Sequence, residues 1–214
     1  MDDVRSVITV EHVNGRKYGD NFMFFDITNA DRTTETATSY YGEISPRLSF
    51  GKMLGVDLNK GLLNDVLITT TAEIGEGLRN YLYGVAVDLN LPGFAFFQFN
   101  YYVRNEVEIF NGPSENDTGY QITLAWLAPF SIGTTSWAFE GFIDYAYDVD
   151  PGADNIIAGP RLLLDVGEFF GEKGALQAGI EYQIWRNKFA IDDIDEDVVQ
   201  AMVKFIFDPV RGTA

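Results

Sequence analysis

The chain has 214 residues, no cysteine, one histidine and a formal charge of −17, from 15 basic and 32 acidic side chains. That balance excludes a nucleic-acid ligand, because a polyanion needs a basic patch, and the lack of cysteine excludes disulfides and thiolate metal sites. The length suits one all-β unit, 1–214, and a mean hydropathy near zero fits strands that alternate apolar and polar residues.

No apolar run approaches the ~20 residues of a membrane-spanning helix. Met1 is followed by Asp2-Asp3, with neither the basic nor the apolar region of a secretory signal, so the chain reads as a mature sequence. Arg5 to Val13 alternates Ile8 and Val10 against Thr9 and Glu11, then breaks at Asn14-Gly15, a tight-turn signal. Asn21 to Asn29 sets Met23, Phe25 and Ile27 against Phe22, Phe24, Asp26 and Thr28, so both faces carry rings. After a Thr-rich loop from Asp31 to Thr38, Ser39 to Phe50 sets Tyr40, Ile44 and Leu48 against Tyr41, Glu43, Ser45 and Arg47.

Gly51 to Asn64 loses the alternation and reads as a connection with one short helical turn. Strands resume at Asp65 to Ile74 and at Asn80 to Asn90, where Tyr81, Tyr83, Val85 and Val87 oppose Gly84, Ala86 and Asp88. Pro92-Gly93 is a turn. Phe94 to Glu106 sets Phe97, Phe99, Tyr101 and Val103 against Phe96, Gln98, Asn100, Tyr102 and Arg104, and Val107 to Asp117 reads as a loop.

The clearest hairpin joins Thr118 to Phe130 with Ser136 to Asp148. Tyr120, Ile122, Leu124 and Trp126 share one face of its first arm; Trp137, Phe139, Ile143, Tyr145 and Tyr147 share one face of the second, opposite Glu140, Asp144 and Asp148. Carboxylates on one face of an aromatic strand are costly in a dry core and at ease in a wet lumen, which points to a barrel with lipid outside and water inside. Asn155 to Leu164 alternates less cleanly, Asp165 to Gly174 connects, Ala175 to Trp185 alternates again, and an acidic loop from Arg186 to Asp195 leads to Glu196 to Phe207.

These are eleven candidate strands with no amphipathic helix, which predicts an antiparallel transmembrane β-barrel of about 10–12 strands, an up-and-down meander with a tail at 208–214. Short turns at Asn14-Gly15, Pro92-Gly93 and Ser131 to Thr135 fall at one end, read as periplasmic; the loops at Asp31, Val107 and Arg186 fall at the other, read as external. His12 alone supports neither a Ser-His-acid constellation nor a histidine zinc site, so it reads as a surface or rim residue in a chain that is not an enzyme and needs no cofactor. The acidic run 192–197 lacks the spacing of a calcium loop and reads as a solvated face, with cation bridging to lipopolysaccharide as a weaker alternative.

Glu43-Ile-Ser-Pro-Arg-Leu-Ser-Phe50, Tyr83-Gly-Val-Ala-Val-Asp-Leu89, Gly119 to Phe130 and Gly141-Phe-Ile-Asp-Tyr145, in that order, resemble the nucleoside-specific channel-forming porins of the Tsx type, which include the OmpK proteins. Val203-Lys-Phe-Ile-Phe207 is similar to the aromatic-ended last strand of outer-membrane proteins in general. The resemblance implies a monomeric twelve-stranded barrel in the Gram-negative outer membrane, surrounded by lipid and lipopolysaccharide, that passes nucleosides. Bases need rings to stack on and sugars need polar partners. The inward set supplies Phe22, Phe24, Phe96 and Tyr102 as rings, with Asp26, Glu43, Arg47, Asp88, Gln98, Glu140 and Asp144 as polar groups.

The same residues would serve equally to fill a lumen, since small barrels fill their interiors with side chains. The rival readings are a structural barrel that serves as a phage or colicin receptor through its external loops, and a soluble barrel with apolar residues inside. Eleven strands also leave the first and last running the same way. Closure is then expected to lack a strand before Arg5, or to use a parallel seam, a shifted strand or the tail.

Overall fold

The computed structural model describes residues 5–29, 38–114 and 118–207. Every pairing in it is antiparallel. The strands are β1 (Val7–Arg16), β2 (Gly19–Thr28), β3 (Ser39–Ser49), β4 (Leu63–Gly75), β5 (Leu78–Leu89), β6 (Phe96–Ile109), β7 (Gly112–Pro113), β8 (Thr118–Ile132), β9 (Thr135–Tyr147), β10 (Asn155–Ala158), β11 (Arg161–Asp165), β12 (Leu176–Arg186) and β13 (Glu196–Phe205). Each neighbours the next in a meander, β7 being a short hairpin arm on β6.

β10 and β11 lie on the same two neighbours in one continuous register and are separated by Gly159-Pro160, where proline has no N–H to donate to a ladder. They form a single staved position, so eleven strands make the wall, as the alternation predicts. β1 and β13 consequently run the same way, and among the described residues no ladder joins them. Their inner faces nevertheless meet through side chains: Glu11 of β1 stands 3.1 Å from Arg161 of β11 and 3.7 Å from Lys204 of β13. The sheet is curled until its two ends touch through charges.

Two local expectations are corrected. The first hairpin turns at Lys17 and Tyr18, while Asn14 and Gly15 stay paired with Asn21 and Asp20, because the inner-face register Thr9 to Asp26 and Glu11 to Phe24 outweighs a local turn signal. Residues 107–109 continue β6, and only Phe110 and Asn111 form the turn to β7. Trp126 keeps the face it shares with Tyr120 and Leu124 but is only 8 % exposed there, because it packs on Phe139 across Gly141, where an added Cβ would stand 2.9 Å from the indole. The helical turn in the connection after β3 is α1 (Phe50–Leu54), capped by Ser49, whose side chain accepts from the Lys52 N–H. The loop at 30–37 and the tail at 208–214 lie outside the described residues.

The burial pattern is inside-out for a water-soluble protein. Val10, Val85, Val203 and Phe205 are all more than half exposed, and the outer face is continuously apolar. Tyrosines form one tier on it, Tyr101 on Tyr120 at 6.3 Å and Tyr120 on Tyr147 at 5.3 Å between ring centres. Phe130 and Trp137, stacked at 6.5 Å, form a second tier toward the turn between β8 and β9. An apolar outer band between two aromatic girdles is the pattern of strands that cross a bilayer.

At the turn end, Gly167–Phe170 forms a 3-10 helix, tied to the start of β9 where Glu168 accepts from the Ser136 backbone N–H at 2.9 Å and its hydroxyl at 3.0 Å. Lys173 and these two donors hold the Glu168 carboxyl below its ordinary value. A depressed folded-state value contributes stability above the unfolded value near 4.5, which is lost as pH falls through the folded one. Acidification is therefore expected to loosen this helix first, with faster amide exchange at 167–170. The Glu168→Gln variant, neutral throughout, should exchange with no such pH dependence.

Candidate functional site

Period two sends alternate side chains of every strand to the inner face, and the polar half of the sequence gathers there. Three groups of ion pairs line it. In the first, Arg47 of β3 reaches Asp20 of β2 through Nε at 2.8 Å and Nη2 at 2.7 Å, and Asp88 of β5 through Nη1 at 2.7 Å and Nη2 at 3.1 Å. Both carboxylates are bound in the bidentate geometry that a guanidinium favours. In the second, Arg104 of β6 donates to Glu73 of β4 at 2.6 Å, to Gln121 of β8 at 2.8 Å and to Glu106 at 3.2 Å. Asn80 completes this group by donating to Glu73 at 3.0 Å.

The third group closes the two ends of the sheet. Arg161 contacts Glu181 and Glu11, and Lys204 donates to Glu140 at 2.7 Å. Arg161 lies 3.6 Å from the same Glu140.

Beside these charges runs a ladder of rings. Phe22 and Phe24 of β2 stand 5.8 Å apart, Phe24 and Tyr41 of β3 again 5.8 Å, and the Tyr41 hydroxyl donates to Glu43 at 2.7 Å. Phe22, Phe24 and Tyr41 are half-buried, leaving ring surface open to the lumen. The β4, β5, β6 and β8 side of the wall is more closely packed, with Leu67, Leu82, Asn100, Tyr102 and Gln121 buried. Below the Arg47 group, at the turn end, α1 and the chain after it border an open pocket of about 270 Å³ lined by Asp20, Lys52, Leu58, Asn64, Asp65 and Asp88.

The residues singled out from sequence fall into this frame unequally. Phe22, Phe24 and Glu43 form one surface. Arg47 and Asp88 hold each other, with Gln98 paired beside Asp88 in the next strand. Asp26 accepts from Thr9 at 2.6 Å, Asp144 accepts from the Thr123 hydroxyl, and Glu140 is taken up by Lys204. The Tyr102 hydroxyl shares a hydrogen bond of 2.8 Å with Thr69 in a buried place, so its ring is wall. Phe96 opens β6 at the turn end, 40 % exposed and apart from the ring ladder. His12 is exposed on β1, and Asp197 and Glu196 of the acidic run are paired with Arg186 at 2.9 Å and Lys188 at 2.7 Å.

Sequence reasoning did not place Glu73, Arg104, Glu106, Arg161 and Glu181 in the site, although Arg104 was legible on the polar face of its strand. What it lacked was register and curl: charge partners on strands that are not even adjacent are 31 residues apart for Arg104 and Glu73, and 150 apart for Arg161 and Glu11.

A curled antiparallel sheet with a girdled apolar exterior and a charged, ring-lined interior defines the outer-membrane β-barrel class, in the form of a channel. Comparison with known families makes this specific. Residues 5–198 match the family described as nucleoside-specific channel-forming protein, Tsx, and the chain belongs to that family. No curated protein matches the chain. The family is one of channels of the outer membrane, and among the described residues no helix is long and apolar enough to cross a membrane.

Proposed function

We propose that this protein is a passive channel of the Gram-negative outer membrane for nucleosides, acting as a single-barrel monomer, with the loop-bearing end outside among lipopolysaccharide and the α1 end in the periplasm. Family membership supports nucleosides as the solute class. The observation that carries the reading to residues is the ladder Phe22, Phe24, Tyr41 beside Glu43 on the inner face. A nucleoside has a flat ring system and a hydroxylated sugar; the rings offer a stacking track, and the Glu43 carboxylate and Tyr41 hydroxyl offer hydrogen-bonding partners for the sugar. Neither group reacts with the solute, and weak successive contacts allow it to leave as easily as it enters.

Reconstituted protein is expected to admit adenosine and thymidine into liposomes faster than a sugar of similar size. Stacking on one ring contributes about 1–3 kcal/mol where bases are bound, so the Phe22→Ala/Phe24→Ala double variant should weaken nucleoside block of ion current by at least tenfold. Undiminished block in that variant would refute the ladder as the track, and equal swelling rates for sugars and nucleosides would refute the solute class.

A further inference from the structure

We infer that the connection between β11 and β12 is an interfacial anchor: its 3-10 helix, Gly167–Phe170, lies at the headgroup boundary of the bilayer at the turn end, with Phe169 and Phe170 inserted among phospholipid chains. This contact is made below the crossing strands and does not depend on which solute the channel passes. Phe169 is 61 % exposed and Phe170 75 %, side by side in a connection that would otherwise lie in water. Contiguous apolar surface of this kind marks an interaction site.

Both feet of the connection stand in the lipid-facing wall. Alternation from Arg161, which is on the inner face with Glu181, puts Leu162 and Leu164 on the outer one. Leu164, at the start of the connection, is opposite Trp137 of β9, whose ring forms the aromatic tier with Phe130. Leu176, at its end, is opposite Phe205 of β13, which is 65 % exposed on the outer face. The two phenylalanines thus continue an apolar surface that already meets lipid on either side of them.

The polar groups of the connection are spent on the protein. Glu168 accepts from the Ser136 N–H and hydroxyl, and Asp165 accepts from the N–H groups of Glu168 at 3.3 Å and Gly174 at 2.8 Å, which pins the segment to the strand ends. A 3-10 helix turns once in three residues, so with Glu168 turned to the end of β9, Phe169 and Phe170 each point a third of a turn away from that contact. The rings project from the barrel. Lys173, 67 % exposed and 3.0 Å from Glu168, follows them as a cation at headgroup level. Rings at the boundary between headgroups and chains, with a basic side chain beside them, are the general form of an interfacial anchor. Because the contact is apolar, a neutral phospholipid is the partner it fits.

The chain has no cysteine, so single-cysteine variants of the full chain carry one nitroxide label each. In phosphatidylcholine vesicles, collisions of the label with oxygen, which concentrates in the bilayer, are compared with collisions with a water-soluble nickel chelate present on both sides. Phe169→Cys and Phe170→Cys should favour oxygen, whereas Lys60→Cys, an exposed position in the connection after α1 at the same end, should favour nickel. In a second measurement, Phe169→Ser/Phe170→Ser should speed amide exchange at 167–170 in the same vesicles by about tenfold or more, since withdrawing one phenylalanine from water is worth at least that factor. Rings already in water would leave exchange unchanged. Labels at 169 and 170 as open to nickel as the one at 60, or unchanged exchange in the serine variant, would overturn the inference. A protein partner for this surface, absent from the vesicles, would give both of those results. Should the labelled variants fail to insert, the exchange measurement still decides it, and neither readout uses nucleoside uptake.

Discussion

Replacing Arg104 by alanine is expected to lower the stability of the refolded protein by about 3–5 kcal/mol, the cost of leaving buried charges without their partner. The Arg104 side chain is 11 % exposed, and its partners Glu73 and Glu106 are 6 % and 2 % exposed, so little water can replace the lost guanidinium. Gln121 Oε1 would lose a donor at the same time. Glu106 keeps the Asp150 backbone N–H at 2.8 Å and Glu73 keeps the Asn80 amide at 3.0 Å, but Glu73 loses the shorter Arg104 contact, 2.6 Å against 3.2 Å, so it carries the larger share of the damage. Adding Glu73→Gln to the alanine variant should accordingly restore part of the loss. Arg186, whose side chain is 39 % exposed in its pair with Asp197, is the natural contrast, because a solvated pair contributes about 0–1 kcal/mol. Urea unfolding in a lipid environment reads all three. Equal midpoints for Arg104→Ala and Arg186→Ala would show that the inner group is not structural.

Ile143→Arg is expected to cost about 2–4 kcal/mol, the penalty for a basic side chain near the middle of the bilayer on the lipid face of a barrel. Ile143 lies opposite Leu124 of β8 and Ala158 of β10, all on the outer face between the tyrosine tier and the Phe130–Trp137 tier. One residue on, Asp144 points inward to the Thr123 hydroxyl. Asp144→Asn keeps that hydrogen bond and should change stability far less. The two variants differ by one position and by opposite faces, so their ratio measures the alternation directly. If both refolded with the same midpoint in lipid vesicles, the assignment of faces in β9 would be wrong.

How much of this was legible beforehand depended on the range of the forces involved. Face assignment was legible in β8, β9 and β12, because alternation is a property of consecutive residues and needs no knowledge of neighbours. The same holds for α1, announced by the loss of alternation after Phe50. Turn position was less legible: Asn14-Gly15 is a strong local signal, yet pairing along the whole of β1 and β2 moved the turn three residues on, to Lys17 and Tyr18. Asn155 to Leu164 looked irregular because Gly159-Pro160 interrupts its hydrogen bonding while both halves keep one register.

Alternation, ring content and acidity in the chain alone determined a barrel with a polar interior, its eleven strands and the matching direction of the first and last. Tertiary structure alone decided which inward charges are spent on one another. Arg47 sits four residues from Glu43 in the sequence but is held by Asp20 and Asp88, and Glu43 turns to Tyr41. Asp20 stands directly opposite Arg47 on the paired strand and Asp88 comes from β5, two strands away, so the sheet and not the strand itself brings both partners to Arg47. Which residues stand across the ladder is set by register and curl, and both arise from the packing of the whole sheet.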